Sequence, residues 1–321
     1  MKIQSIQAEP KAELKAALEK FEAEMRYPLG TDSWFRISHG EDYTRFFRAI
    51  GQPRCFIATR DEHVVGTITS TICRLRQPGG SYGRGGYISD LKVSRSTSGL
   101  TLLRLLRAAT DWTLAEPTPS FCVVMEGTAR SPINYTGRLG IPEFTALARL
   151  VVLRIPVECL SRGSGASPRP EINNCASEDA RRLYERLTLD CFATDGGQST
   201  TRSRMPPLGL IAADGSGSGV LEDTRRGKRL FRSDDVEMVS AHLSCFGFRS
   251  IEAGATIIRA ALQRCASRGV PALFVCVRPP EVHPLLQSAG LQVEQTVKAP
   301  ATVFGYAMAG PGKWSINTAE I

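Results

Sequence analysis

Apolar and polar positions recur along this chain with two different periods, and the switches between them mark its elements. KIQSIQA, near the start, predicts a short strand. From about Pro10 to Met25, Leu14, Leu18 and Phe21 recur at helical spacing, and Pro10 suits a first helical turn, so a helix is predicted. A polar, aromatic-bearing segment follows over residues 32–51. CFIATRDEHVVGTITSTICRL then reads as a hairpin turning at Arg60-Asp61-Glu62-His63, and GYISDLKV as a further strand. SGLTLLRLLRAATDWTL is a strongly periodic helix, SFCVVMEG an apolar strand, SPINYTGRLG a short helix and FTALARLVVLRIPV a strand closing the series.

A break follows at SRGSGASPRP, residues 161–170, which has the composition of a linker. It divides the chain into 1–160 and 171–321, and the second part repeats the order of the first. EINNCAS reads as a strand, and SEDARRLYERLTLDCFA as a helix capped by Ser177 with acidic residues in its first turn. GLIAADGSGSGVLED is a hairpin, VEMVSAHLSCFGF a strand, GATIIRAALQRCASRG a helix and ALFVCV an apolar strand. HPLLQSAGL, a short helix, and ATVFGYAM, a strand, complete it. The repeat extends to residues: Gly99-Leu-Thr-Leu-Leu-Arg104 matches Gly254-Ala-Thr-Ile-Ile-Arg259, Phe121-Cys-Val-Val matches Phe274-Val-Cys-Val, and Leu139-Gly-Ile matches Ala289-Gly-Leu. The expected class is α/β (α+β), duplicated.

Composition narrows the class further. Of 321 residues, 42% are hydrophobic and 22% charged, the balance of a globular protein with room for two domains, which excludes a disordered, collagenous or coiled-coil chain. No run reaches the about 18 apolar residues of a membrane span; the most apolar, ALARLVVLRIPV, is broken by Arg149 and Arg154. With no apolar leader at the start, a cytoplasmic protein is expected, without a membrane partner. Nine cysteines without a C-x-x-C pair, and four histidines without helical pairing, argue against a disulfide scaffold and a metal centre. Forty Lys and Arg stand against 32 Asp and Glu, a net charge of +8 spread over both halves, which does not call for nucleic acid. One stretch is different. Between His63 and Thr110 stand Arg74, Arg76, Arg84, Lys92, Arg95, Arg104 and Arg107, with Asp90 the single acid. This is either a solvated basic face or a site for a polyanionic small molecule.

Within that stretch, Tyr87–Val93 followed by Ser94-Arg-Ser-Thr-Ser-Gly99 is a strand, a small-residue loop and a helix start. Such a loop offers backbone N–H groups and a helix dipole to an anion, with Arg95 and Arg104 adding charge, although a Ser-rich helix cap would read the same.

These residues resemble the GNAT superfamily of acyl-CoA-dependent amine acyltransferases, whose pyrophosphate loop reads V-x-x-x-x-R/Q-G-x-G-x-G/A. Here Val93 is followed by Ser96-Thr-Ser-Gly99-Leu-Thr101; the middle Gly is kept, while Ser96 and Thr101 replace the leading Arg/Gln and the last small residue. The resemblance covers nearly all of 1–157 and, more faintly, 171–310. It implies two tandem GNAT-like domains, each a mixed, mostly antiparallel sheet flanked by helices, the first catalytic and the second degenerate. Acetyl-CoA or another acyl-CoA would be the co-substrate, and the acceptor an amine of a peptide, protein or small molecule. By the same resemblance, the backbone around Leu91, Lys92 and Val93 would face the acyl carbonyl. Arg95, Ser98, Gly99, Leu100 and Thr101 would surround the pyrophosphate, and Asn134 would bond the pantetheine arm.

The reaction needs a base for the ammonium and profits from an acid for the thiolate. Asp90 is the first candidate for the base and Glu126 the second; Asp90 could equally be a structural partner of Lys92 or Arg95. Tyr135 is the candidate acid, or a ring packed on the sheet; its spacing to Gly140 is one residue longer than the family's Y-x-x-x-G. In the second half Cys245, Gly247 and Leu285 take the places of Asp90, Lys92 and Tyr135, so it is expected to be a wall of the cleft. Arg225-Arg-Gly-Lys-Arg229 is expected in an exposed hairpin loop. Two rivals remain: a silent acyl-CoA-binding sensor, favoured by the departures from the loop motif, and an aminoacyl-tRNA-dependent transferase, which would want a broader basic face.

Overall fold

The computed structural model describes residues 1–29, 33–95, 97, 99–116, 118–128, 131–160 and 171–321. The first series of elements is β1 (Lys2–Ile6), α1 (Ala12–Glu24), β2 (Tyr27–Leu29), β3 (Ser33–Ser38), α2 (Arg45–Arg48), β4 (Gln52–Arg60), β5 (His63–Arg76), β6 (Tyr82–Val93), α3 (Gly99–Thr113), β7 (Ser120–Met125) and β8 (Thr145–Pro156). The second is β9 (Ile172–Cys175), α4 (Ser177–Leu187), β10 (Cys191–Thr194), α5 (Ser199–Arg202), β11 (Leu208–Ala212), β12 (Gly217–Glu222), β13 (Arg229–Arg232), β14 (Ala241–Phe248), α6 (Ile251–Ser267), β15 (Ala272–Val277), α7 (Val282–Ser288), β16 (Val297–Tyr306) and β17 (Lys313–Ser315).

Among the described residues, one 14-stranded sheet runs through both series in the order β1-β4-β5-β6-β7-β16-β8-β15-β14-β12-β11-β9, with β10 added to β5 and β17 to β10. The two closing strands are exchanged. β16 pairs antiparallel with β7 (Ala301↔Met125 to Tyr306↔Ser120), while β8 pairs antiparallel with β15 (Ala272↔Pro156 to Val277↔Val151). Each half therefore supplies the strand that closes the other's sheet. A separate three-stranded sheet, β13-β3-β2, also joins the halves.

Strand alternation sends successive side chains to opposite faces. On one face Leu102, Leu105, Leu106 and Ala109 of α3 pack against Phe56, Ala58, Ile68 and Ile88. On the other, Leu18 and Phe21 of α1 pack against Cys55, Ile57, Tyr87 and Phe121. The core of the second half gathers around Ile257, Ile258, Ala261 and Leu262 of α6.

The repeat is sharpest where β6 and β14 leave their neighbours. Asp90 and Cys245, 155 residues apart, both have left-handed backbone, with φ of 55° and 48°. Each sits at a β-bulge: the β5/β6 register shifts between Thr67 and Thr69, and the β12/β14 register between Ser218 and Val220. A bulge bends its strand and increases its twist. On the other side, β6 and β7 are parallel and pair only at Gly86↔Ser120 and Tyr87↔Phe121; β14 and β15 pair only at Ala241↔Leu273 and His242↔Phe274. Beyond those pairs the strands diverge, so each half contains a wedge. Gly86 permits the close approach at the first apex, because a Cβ there would lie 2.3 Å from Thr113 Cγ2 and 2.5 Å from Ser120 Oγ.

Four expectations are corrected. SPINYTGRLG holds only a 3₁₀ turn, Pro132–Asn134, followed by Gly137 and Gly140 at positive φ, which end any helix. Ser177 is the first residue of α4, not its cap, which is Ala176. The basic stretch is not one face: Arg74 lies 3.9 Å from Asp195, Arg84 3.6 Å from Glu116 and Arg107 3.7 Å from Asp111, while Arg76 is buried. Arg225 and Arg229 share Glu237, and Lys228 between them is 5% exposed, so that segment is not an exposed loop. The linker expected at 161–170 lies outside the described residues.

Candidate active site

The first wedge opens at the Asp90 bulge, and a buried charge network lines its α1 face. Nζ of Lys92 lies 2.7 Å from Asp90 Oδ1 and 2.7 Å from Glu22 Oε1. Glu22 also accepts from the backbone N–H of His39 at 2.9 Å and meets its ring Nδ1 at 2.6 Å. Tyr43 donates its hydroxyl to Asp90 Oδ2, and Thr67 Oγ1 donates to the Asp90 carbonyl at 3.2 Å. Burial would raise the Glu22 carboxyl, but the charges of Lys92 and His39 outweigh it and hold it at about 2. Burial would lower the Lys92 ammonium, but Asp90 and Glu22 outweigh it and raise it above its usual value. Glu22, His39 and Asp90 bring three ligand atoms within 4.8 Å of one another, a spacing that could hold a metal ion. The Lys92 ammonium already supplies the cation there.

The opposite face is covered by α3. Leu91 and Val93 point into the core beneath α3, opposite to Lys92. Arg95 is exposed and lines a hollow of about 170 Å³ with Arg26, Trp34 and Ser233. Gly99 opens α3 with nothing within 4 Å of where its Cβ would be, and Leu100 is exposed beside it. Thr101 is buried, and its hydroxyl points to the Met1 sulfur at 3.1 Å rather than to the loop. Ser98 lies outside the described residues.

Tyr135 is half-buried on this same face and, like Leu91, Val93, Cys122 and Val124, packs against the core beneath α3. Burial, reinforced by Cys122, pushes its phenol above the usual 10, which keeps it protonated. Asp90 and Tyr135 thus lie on opposite faces of the sheet. Asn134 is turned away: its Oδ1 accepts the Ser131 N–H at 2.9 Å in a local capping box. Glu126 is exposed just past the end of β7.

The second wedge is filled by the chain itself. Asn317 Oδ1 accepts the backbone N–H of the bulge residue Cys245 at 2.7 Å, and its Nδ2 donates to Glu320 Oε2 at 3.1 Å. Thr318 Oγ1 lies 3.0 Å from His242 Nδ1 and donates to the Phe274 carbonyl at 3.4 Å, so it bridges β14 and β15 at their apex. Glu320 and Glu222 flank the fully buried Arg202, whose Nη2 lies 2.8 Å from Glu222 Oε1. At the start of α6, a Cβ on Gly254 would meet Leu285 at 2.8 Å and Phe248 at 2.9 Å. The open space that Gly99 faces is taken up by Leu285 and Phe248 at Gly254 in the duplicate.

Glu22, His39 and Tyr43 escaped the sequence reading because they lie far along the chain from their partners. The aromatic-bearing segment that holds His39 and Tyr43 was the available signal.

No family model matches this chain, and no curated protein sequence matches it. Solved structures do. Saccharomyces cerevisiae N-myristoyltransferase with bound myristoyl-CoA aligns over 98% of this chain and 85% of its own, with a TM-score of 0.60 at 9% identity. A proposed acetyltransferase of Pyrococcus horikoshii aligns over 98% and 92%, with a TM-score of 0.57 at 10% identity. The fold is that of the GNAT acyltransferases. At these identities only the fold is shared.

Proposed function

We propose that the chain is an N-acyltransferase that moves an acyl group from an acyl-CoA to an amine, in the first wedge. The observation that carries this reading is the contrast between the two wedges. In the second, the bulge N–H of Cys245 receives a carbonyl oxygen, that of Asn317, at 2.7 Å. The corresponding bulge residue in the first is Asp90, whose carboxylate meets Lys92 and Tyr43, and α3 of that half starts at Gly99, which faces open space. A thioester carbonyl would be polarised at the N–H of Asp90, as a backbone donor stabilises a developing oxyanion. The myristoyl-CoA bound in the yeast structure supports acyl-CoA as the donor.

In the reaction the acceptor ammonium gives a proton to Asp90, directly or through water, and the free amine attacks the thioester carbon. The C–N bond forms, the C–S bond breaks, and the thiolate takes a proton from Tyr135, whose phenol is held protonated. We assign the site to 1–160, treat 171–321 as its wall, and leave the acceptor as a peptide, protein or small amine. Nine free cysteines suit a reducing compartment, which fits the cytoplasm. No described helix is long and apolar enough to cross a membrane. The test is incubation with acetyl-CoA and a panel of amines, following free thiol. Amine-dependent release supports the reading. Binding of CoA without release for any amine would favour a silent binding protein instead.

A further inference from the structure

The hollow of about 170 Å³ past the end of β6 is lined, among the described residues, by Arg26, Trp34, Arg95 and Ser233. Its arginines differ from those around them. Arg36 pairs with Asp235 at 3.0 Å, Arg232 pairs with Asp234, and Arg225 and Arg229 share Glu237 at 2.8 and 2.7 Å. Among the described residues, neither Arg26 nor Arg95 has a carboxylate partner. Arg26 is anchored through Nη1, which donates to the Ala23 and Met25 carbonyls at the end of α1. Trp34 is 47% exposed, a large ring left on the surface. Guanidinium groups without a counter-charge beside a free ring suit an anion joined to an apolar group, since arginine forks a carboxylate and indole offers its face. A cavity of about 150 Å³ holds a benzene ring, so the hollow has room for one such side chain.

The hollow belongs to the α1 side of the sheet, the side of Asp90 and Lys92, with α3 on the other. Arg26 stands just past the end of α1, and Trp34 is on β3, which packs beside α1. Arg26 adjoins Tyr27, and Tyr27 borders the buried network: burial raises its phenol above the usual value, and the charges of Lys92, Asp90 and Glu22 act on it too. On the opposite wall, β6 carries the chain about 10 Å from Asp90 to Val93, three steps of about 3.3 Å, and two residues more reach Arg95. A ligand that touches both the Asp90 carboxylate and the hollow therefore spans roughly three to five extended residues. A small amine reaches only one of the two.

Resting on the acyltransferase reading above, we propose that the acceptor is an acidic peptide, its amine at Asp90 and its acidic residue in this hollow, about three to five residues along. The carboxylate meets Arg26 and Arg95, an apolar or aromatic neighbour covers Trp34, and the Ser233 hydroxyl is a further donor. Asp234 and Asp235 follow Ser233, but Arg232 and Arg36 pair with them, so they do not cancel the charge of the hollow.

The test follows thiol release from acetyl-CoA with Gly/Ser peptides that hold one amine, N-terminal or lysyl, and one Asp-Phe pair moved stepwise away from it. The wild-type kcat/KM should peak with the pair about three to five residues from the amine. Asn in place of that Asp should lower the peak about tenfold through KM, the scale of one exposed charge-assisted hydrogen bond. Arg26→Gln and Trp34→Ala should each remove most of the peak, whereas Arg60→Gln, an exposed arginine at the end of β4, should keep it. Arg26 and Trp34 are exposed, and circular dichroism checks that both variants fold. A flat profile along the series, or an equal loss in Arg60→Gln, overturns the proposal while leaving acyl transfer standing. Weaker CoA binding to Arg26→Gln in calorimetry would assign the hollow to the cofactor and overturns it as well. Absence of thiol release with every amine overturns the transferase reading and, with it, this one.

Discussion

Lys92 holds two carboxylates, Asp90 and Glu22, on a side chain that is 1% exposed. Removing one partner from a buried pair leaves an uncompensated charge, which costs far more than the pair contributes. Lys92→Met should therefore destabilise the protein by about 3–5 kcal/mol in urea unfolding at neutral pH. Lys228 presents the opposite case. It lies over the Phe46 ring at 4.4 Å and donates to the Ile321 carbonyl. Burial lowers its ammonium to about 7, Arg202 and Lys92 add to that effect, and Asp90 opposes it. The unfolded chain then binds more protons than the folded one between about pH 7 and the usual 10.5, and stability from this group rises with pH across that window. Lys228→Met should raise Tm most below about pH 7 and hardly at all near pH 10.5; an equal gain at both would show that the amine is not charged at a cost. Asp90 was legible in the sequence as the one acid of a basic stretch. Its surroundings were not, since Tyr43 is 47 residues away and Glu22 is 70 residues from Lys92. Such contacts are set by the sheet and leave no trace in local spacing.

At the scale of elements, α3 and α6 are copies whose first turns have diverged. Gly99 meets open space, and Ala there should leave stability unchanged or raise it by up to about 1 kcal/mol, the helix-propensity difference between the two residues. Gly254→Ala should instead cost about 1–3 kcal/mol, because its Cβ would strike the Phe248 ring. Paired thermal melts decide this, and equal effects would mean that the second helix start is as open as the first. The long helices and central strands were legible because 13 to 17 residues of one period leave little ambiguity. The short strands β10, β13 and β17, of three or four residues, were not, since so few positions carry no period. Yet β17 places Trp314 under the first wedge.

For the whole molecule, the exchange of β8 and β16 makes each half's sheet depend on the other's chain. Residues 1–160 expressed alone would leave β7 without its β16 partner, and should not fold stably; mixed with 171–321, the two should recover native circular dichroism and one cooperative melt. Two independent transitions in the intact chain would contradict this. The duplication was legible from the 155-residue offset, and the paired bulges at Asp90 and Cys245 obey it. The exchange was not, because β8 and β16 are both apolar closing strands and either could satisfy either edge. The contrast between an open and a filled wedge underlies the whole account, and calorimetric titration with CoA tests it most directly. One CoA should bind per wild-type chain, and none to Gly99→Glu, whose added carboxylate enters open space and leaves the fold intact. Two CoA per wild-type chain, or unchanged binding in Gly99→Glu, would contradict it.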